Sequence, residues 1–302
     1  MIRPLHLIGA PSSAGAYAPG QEKAPAAFRR HGLVEALDRR RPLRDRGEVP
    51  GFRWRPDPER TKAANLPAVC RTAAAVAEAA APAFDRDRSV LVLGGDCTVE
   101  LGTVAAAARS GARVGLVYVD LDLDLNAPAT SDGALDWTGV AHLLDIEGAA
   151  PELSGIGRRL PLIEPEDLLF FAADNVSPAE AETVERLDLR VMRLAEVKAD
   201  PAGAAARAGA WASRFDCLLI HLDVDVLDYL DFPIAENVRR CPGLTFAELA
   251  AVLPVLLAAP NWRGLTVAEV NPDHAPDEAR AFAALIGLLD WALPAAEAGG
   301  SL

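Results

Sequence analysis

An α/β fold built on one mainly parallel sheet of about eight strands, with helices on both faces, is what this 302-residue sequence predicts. Two observations predict it. Short apolar runs such as SVLVL, VGLVYV, LLFFAA and CLLIHL have the composition of strands buried on both faces. Helical patterns separate them, and chains that alternate this way gather ligands at the carboxyl ends of a parallel sheet. With 51% hydrophobic residues, no internal repeat and no convincing linker, residues 1–302 read as a single domain with a large core.

Leu5 to Ile8 reads as the first strand. Pro25 then suits a helix start, with Phe28, Leu33 and Leu37 on its buried side. Residues 40–64 are crowded with Arg and Pro and read as a surface excursion with a short edge strand near Arg44 to Val49, its basic patch a solvated face. An Ala-rich helix from Leu66 to Phe84 leads into SVLVLGG, and GGDCTVELGTVAAAA follows as glycine turn and helix. The rhythm continues through VGLVYVD, LLFFAAD, LRVMRL, CLLIHLD and GLTVAEV. Between them, Asn126 to Trp137 is a polar loop of the kind that sets specificity, and residues 201–212, with Trp211, suit an outer helix.

The charge excludes some partners. Forty-three acidic against 30 basic side chains give −13, which repels nucleic acid and anionic membrane. The longest apolar stretches, 247–260 and 279–293, are interrupted by polar residues or proline and are too short to span a bilayer. The N-terminus has no signal-peptide pattern. Cysteines 70, 97, 217 and 241 form no CxxC pair and suggest neither a disulfide framework nor a zinc knuckle, so a reducing cytoplasm is expected.

The chemistry lies at two strand ends. In VGLVYVDLDLDLN, Asp120, Asp122 and Asp124 are two apart; continued as a strand they would share one face at a spacing of about 7 Å. In CLLIHLDVDVLD, Asp223 and Asp225 repeat the pattern, with Asp228 beyond. Carboxylates so crowded repel one another unless cations sit among them, and neighbouring strands would let the two sets hold two ions through shared carboxylates. Cys97 follows Asp96 at the start of a helix, whose N-terminus would favour a thiolate ligand; in isolation it would read as a small buried residue.

The order GGDCT, DLDLD, LDVDVLD and AEVNP resembles the ureohydrolase family of arginases and agmatinases, whose motifs are GGDH, DAHxD, SxDxD and a final Glu followed by Asn-Pro. The resemblance extends from GAPSSAG to the last helix and implies a three-layer αβα sandwich, arginase/deacetylase-like, with an eight-stranded parallel sheet and a two-manganese site. Carried over, one metal takes Cys97, Asp120, Asp124 and Asp223, and the other Asp120, Asp122, Asp223 and Asp225. Glu269 matches the carboxylate that receives the substrate guanidinium, and Asn126 a substrate-facing loop residue. The resemblance further implies a homo-oligomer, trimer or hexamer.

The chain departs from that pattern in three places. Cys97 and Asp122 stand where the family has histidine ligands, so manganese is the first expectation but zinc, iron, magnesium and calcium stay open. Asp136, in GALDWTGVAHLL, replaces a proton-transferring His; its ordinary pKa makes it a poor acid at neutral pH, and His274 is the better replacement shuttle. His221 shares a face with Asp223 and reads as structural, as do His6, His31 and His142. The expected activity is metal-dependent hydrolysis of a linear amidine, a guanidino compound of the agmatine type rather than arginine, by a metal-bridging hydroxide, with a small cationic substrate as partner. The alternative is a catalytically weak or inactive metal-binding or regulatory protein on the same fold. A deacetylase-like enzyme on the related fold is the weaker third reading, since the Asp-x-His site and histidine pair it needs are missing.

Overall fold

A computed structural model describes residues 3–157, 159–238 and 242–295; Cys241 lies outside the described residues. The strands are β1 (Leu5–Gly9), β2 (Leu43–Glu48), β3 (Ser89–Leu93), β4 (Val114–Val119), β5 (Leu168–Ala173), β6 (Arg190–Arg193), β7 (Cys217–Asp223) and β8 (Trp262–Ala268). They form one sheet in the order β2-β1-β3-β8-β7-β4-β5-β6, and every pairing is parallel. The helices are α1 (Ala24–Arg30), α2 (Leu33–Asp38), α3 (Leu66–Phe84), α4 (Val99–Ala108), α5 (Gly139–Leu143), α6 (Pro151–Ser154), α7 (Pro178–Leu187), α8 (Leu194–Ala199), α9 (Pro201–Ala212), α10 (Phe246–Leu257) and α11 (Glu278–Ala292). No helix among the described residues is long and apolar enough to cross a membrane.

Strand alternation divides the interior into two cores. On β7, Leu218, Ile220 and Leu222 face α1, α2 and α8 to α11, whereas Cys217 and Leu219 face the layer of α3 to α6. Both faces are therefore covered, which is why β1, β3, β4, β5 and β7 are buried at every position and read as unbroken apolar runs. Each Leu or Phe so buried contributes about 1.5–3 kcal/mol.

The helix expected after Pro25 is broken in two. Gly32 takes φ 88°, which no continuing helix allows, and α2 restarts at Leu33; Phe28, Leu33 and Leu37 are all buried as expected. On the opposite face, α3 and α4 meet closely at Gly102. A Cβ there would lie 2.4 Å from the Ala73 carbonyl oxygen and 2.7 Å from Val76 Cβ. Gly102→Ala should therefore cost about 1–3 kcal/mol of unfolding free energy. Urea denaturation checks this; an unchanged midpoint would mean that the two helices separate freely.

Candidate metal centre

The central strands β3, β8, β7 and β4 carry the candidate site residues at their carboxyl ends: His221 and Asp223 on β7 itself, the others on the loops that follow. The two Asp-x-Asp segments do not continue as strands. β4 stops at Val119, because Asp120 Oδ1 accepts the backbone N–H of Asp122 at 2.7 Å and curls the chain. Asp223 Oδ1 does the same to the N–H of Asp225, also at 2.7 Å, opening a short 3₁₀ turn over Val224–Val226. This corrects the expected common-face spacing. The turn draws ligand atoms of Asp120, Asp122 and Asp225 within 4.8 Å of one another.

Asp124 lines the cavity but belongs to neither compact group of ligand atoms. Its backbone is left-handed, φ 51°, and its Oδ2 accepts the hydroxyl of buried Tyr118. The first compact group of ligand atoms consists instead of Cys97, Asp120, His221 and Asp223, again within 4.8 Å. Cys97 Sγ donates to Asp223 Oδ2 at 2.9 Å and lies 3.3 Å from His221 Nε2. His221 is fully buried and stacks on Tyr118, its register partner on β4, with ring centroids 4.1 Å apart and 11° between planes.

Glu269 follows β8 at φ 63°, a conformation that non-glycine residues adopt chiefly under constraint. Its backbone N–H bonds the Gly95 carbonyl at 2.8 Å, and Gly95 must lack a side chain because a Cβ would fall 1.6 Å from the Ser12 carbonyl oxygen. The Glu269 carboxylate accepts the N–H of Cys97 at 2.9 Å and the amide of Gln21 at 3.0 Å. Two loops far apart in the chain thus hold it at the floor of the site.

Electrostatics make the metal-free site costly. Burial, then repulsion from neighbouring carboxylates, pushes the acid groups of Asp120, Asp223 and Glu269 well above the usual carboxylate range. Burial also raises Asp124 and Asp136, with Asp96 adding to the latter. Asp136 is therefore able to hold a proton at higher pH than its residue type suggests, contrary to the expectation of a poor acid. The Cys97 thiol is raised too, by burial and then by Asp223, so in the metal-free site these outweigh the helix terminus that was expected to favour a thiolate.

The residues fit a divalent cation. Sulfur, imidazole nitrogen and carboxylate oxygens converge, and Asp120 Oδ2 is buried with no hydrogen-bond partner. Beside them opens a cavity of about 360 Å³. Its described lining includes Asp122, Asp124, Asp132, Asp136, Asp223, Asp225, Glu236 and Glu269 with Tyr17, Trp137 and Asn175, and neither Lys nor Arg.

Two expected site residues stand back from it. Asn126 is not among the lining residues; its amide donates to Glu180 Oε1 at 3.3 Å, tying the loop to the start of α7, while Asn175 donates to Asp122 Oδ1. His274 Nδ1 donates to the Ala235 carbonyl at 2.7 Å, and its Nε2 lies 4.0 Å from Glu236 Oε2, one side chain away from the cavity. His142 is structural as read: its ring bridges the Thr138 carbonyl and the Ala150 N–H. Sequence reasoning passed over His221, although its parity with Asp223 was visible, and passed over Glu100, the one charge in an otherwise apolar α4.

Comparison with known proteins follows from this geometry. The family model described as Arginase family matches residues 3–289. Arginase-1 of Rattus norvegicus is 30% identical over 281 residues, covering 89% of this chain and 85% of the relative. The solved arginase from Bacillus caldovelox superposes with a TM-score of 0.85 at 25% identity, covering 100% of both chains. The formimidoylglutamase of Bacillus subtilis shares the fold, with a TM-score of 0.74 at 18% identity over 96% of this chain and 86% of its own.

Proposed function

The chain belongs to the arginase family, and we propose that it is a metal-dependent hydrolase of linear amidines that prefers a decarboxylated guanidine of the agmatine type. The observation that carries this reading is the cavity wall: a site whose described lining is rich in carboxylates and lacks basic side chains favours a substrate cationic at its reacting end. Glu269, fixed by Cys97 N–H and Gln21, is the carboxylate that would receive two guanidinium N–H groups. A metal pair held by Cys97, Asp120, Asp122, Asp223 and Asp225, with His221 in place of the Asp124 expected earlier, would supply an activated water and an electrophile for the guanidinium carbon. Asp136, whose pKa burial raises, would act as the proton donor to the leaving amine, with His274 behind Glu236 as a route to solvent.

In this reading the substrate's tail would meet Asp132, Asp136 and Trp137, and a free α-carboxylate would find no compensating cation in that loop. Agmatine should therefore exceed arginine in kcat/KM about tenfold, a modest ratio because exposed loop charges are screened. Urea and ammonia release from a guanidine panel, with chelated and metal-loaded protein, tests both statements. A clear preference for arginine would overturn the specificity. Metal binding without any turnover would favour the second reading, a metal-binding protein that has lost activity, which Cys97 and Asp122 at the family's histidine positions support.

A further inference from the structure

His221 projects from β7 into the layer between the sheet and α4, where the preceding residues of the same parity, Cys217 and Leu219, are apolar and the following one is Asp223. A fully buried imidazole needs a partner at each ring nitrogen. Nε2 points towards Cys97 Sγ at 3.3 Å, among the ligand atoms of Asp120 and Asp223. Nδ1 has no hydrogen bond but lies 3.5 Å from Glu100 Oε2. Glu100, in the first turn of α4, is itself buried, and neither of its carboxylate oxygens has a hydrogen-bond partner. Tyr118 packs flat on the ring and fixes its plane.

We propose that His221 is a direct metal ligand and Glu100 its positioning residue, so that Cys97, Asp120, His221 and Asp223 form a sulfur, nitrogen and two-oxygen site that selects zinc over manganese. This rests on the metal site of the proposed hydrolase but not on its turnover. A ligating histidine commonly donates its other ring N–H to a carboxylate, which sets the tautomer and aims the lone pair; Glu100 stands where that carboxylate would be. A thiolate and an imidazole suit a tetrahedral, borderline-soft cation, whereas manganese, magnesium and calcium favour sites made of oxygen. The all-carboxylate group of Asp120, Asp122 and Asp225 has that harder character, so the two positions differ in the metal each prefers.

The test uses full-length chelated protein reconstituted with cobalt(II) as a spectroscopic stand-in for zinc. One equivalent should give a thiolate-to-cobalt charge-transfer band and the intense visible bands of a tetrahedral centre. Cys97→Ser should remove the first, and His221→Ala should collapse the second. Glu100→Gln should keep the charge-transfer band while weakening zinc binding about 10–100-fold in a chelator competition. A structural role for Glu100 would lower the melting temperature and leave zinc affinity unchanged. Weak octahedral cobalt bands without charge transfer in the unmutated protein, or unaltered zinc affinity in folded His221→Ala, would overturn the proposal. Neither measurement involves a substrate: an intact cobalt spectrum without hydrolysis would count against the hydrolase alone.

Discussion

Asp223→Asn should abolish both metal binding and hydrolysis, yet leave a metal-free protein more stable than its parent near pH 8. Asp223 belongs to the first group of ligands and touches the second: its Oδ2 takes the Cys97 thiol and its Oδ1 the Asp225 N–H. An amide keeps the volume and an oxygen for Asp225 but is a poor anionic ligand, so metal occupancy should fall at both positions and turnover by about 10³-fold or more. In the absence of metal the same carboxylate is a buried charge among like charges, raised by burial and by Asp225. Removing it should add stability on the order of 1–3 kcal/mol, the usual scale of an uncompensated buried polar group. Elemental analysis and urea melts of the chelated proteins measure the two halves separately. Full metal occupancy in the variant would sink the ligand assignment, and a less stable chelated variant would show that something other than metal compensates the charge.

The second large effect is a reversal of pH dependence on metal removal. Asp96, Asp120, Asp124, Asp136, Asp223 and Glu269 all have acid groups raised in the folded protein. For each, the native state keeps a proton that the unfolded chain has already released, so stability is fully present below the ordinary carboxylate pKa and is lost as pH rises towards the raised value. His6 opposes this, since burial and the nearby Arg88 lower its pKa to about 4, and its contribution is lost as pH falls from 6.5 towards that value. His142, lowered by burial, opposes it in the same sense, but six acids against two imidazoles should make the chelated protein melt higher near pH 5.5 than near pH 8. Metal binding releases those protons and should invert the order. Calorimetry with chelator and with zinc or manganese at both pH values decides it; a chelated protein more stable near pH 8 would mean that the carboxylates are neutralised without metal.

Much of this architecture was legible because parallel strands buried on both faces leave unbroken apolar runs, which located the inner strands; the charged edge strand β2 was read from its place in the Arg- and Pro-rich excursion instead. The break at Gly32 was not, since only a positive φ reveals it. In the site, motif order located the segments that carry Cys97, Asp120, Asp223 and Glu269, but not those that bring Asn175 and Glu236 to the cavity. It could not say that Asp124 turns away to Tyr118, because that depends on a left-handed residue and a hydroxyl six positions back. His221 was discounted because a histidine in an apolar strand is usually structural; its role depends on Glu100 and Cys97, both more than 100 residues away in sequence. That Asn126 stands back from the cavity was hidden in the same way, its partner Glu180 lying on α7.

The strand order carries a consequence for how the molecule is made. β7 and β8, the last two strands in the chain, lie between β3 and β4, which are made much earlier. During synthesis the first six strands cannot close into the final sheet, because its two middle places belong to residues not yet translated. Such long-range pairings form slowly, and the exposed edges of β3 and β4 must wait for them. Cys97 and Asp120 meet Asp223 and Glu269 only when β7 and β8 have been inserted. The metal centre is therefore a late event in folding, and a chain cut short before Trp262 would have every proposed ligand but lack β8, the strand that joins the side carrying Cys97 to the side carrying Asp223.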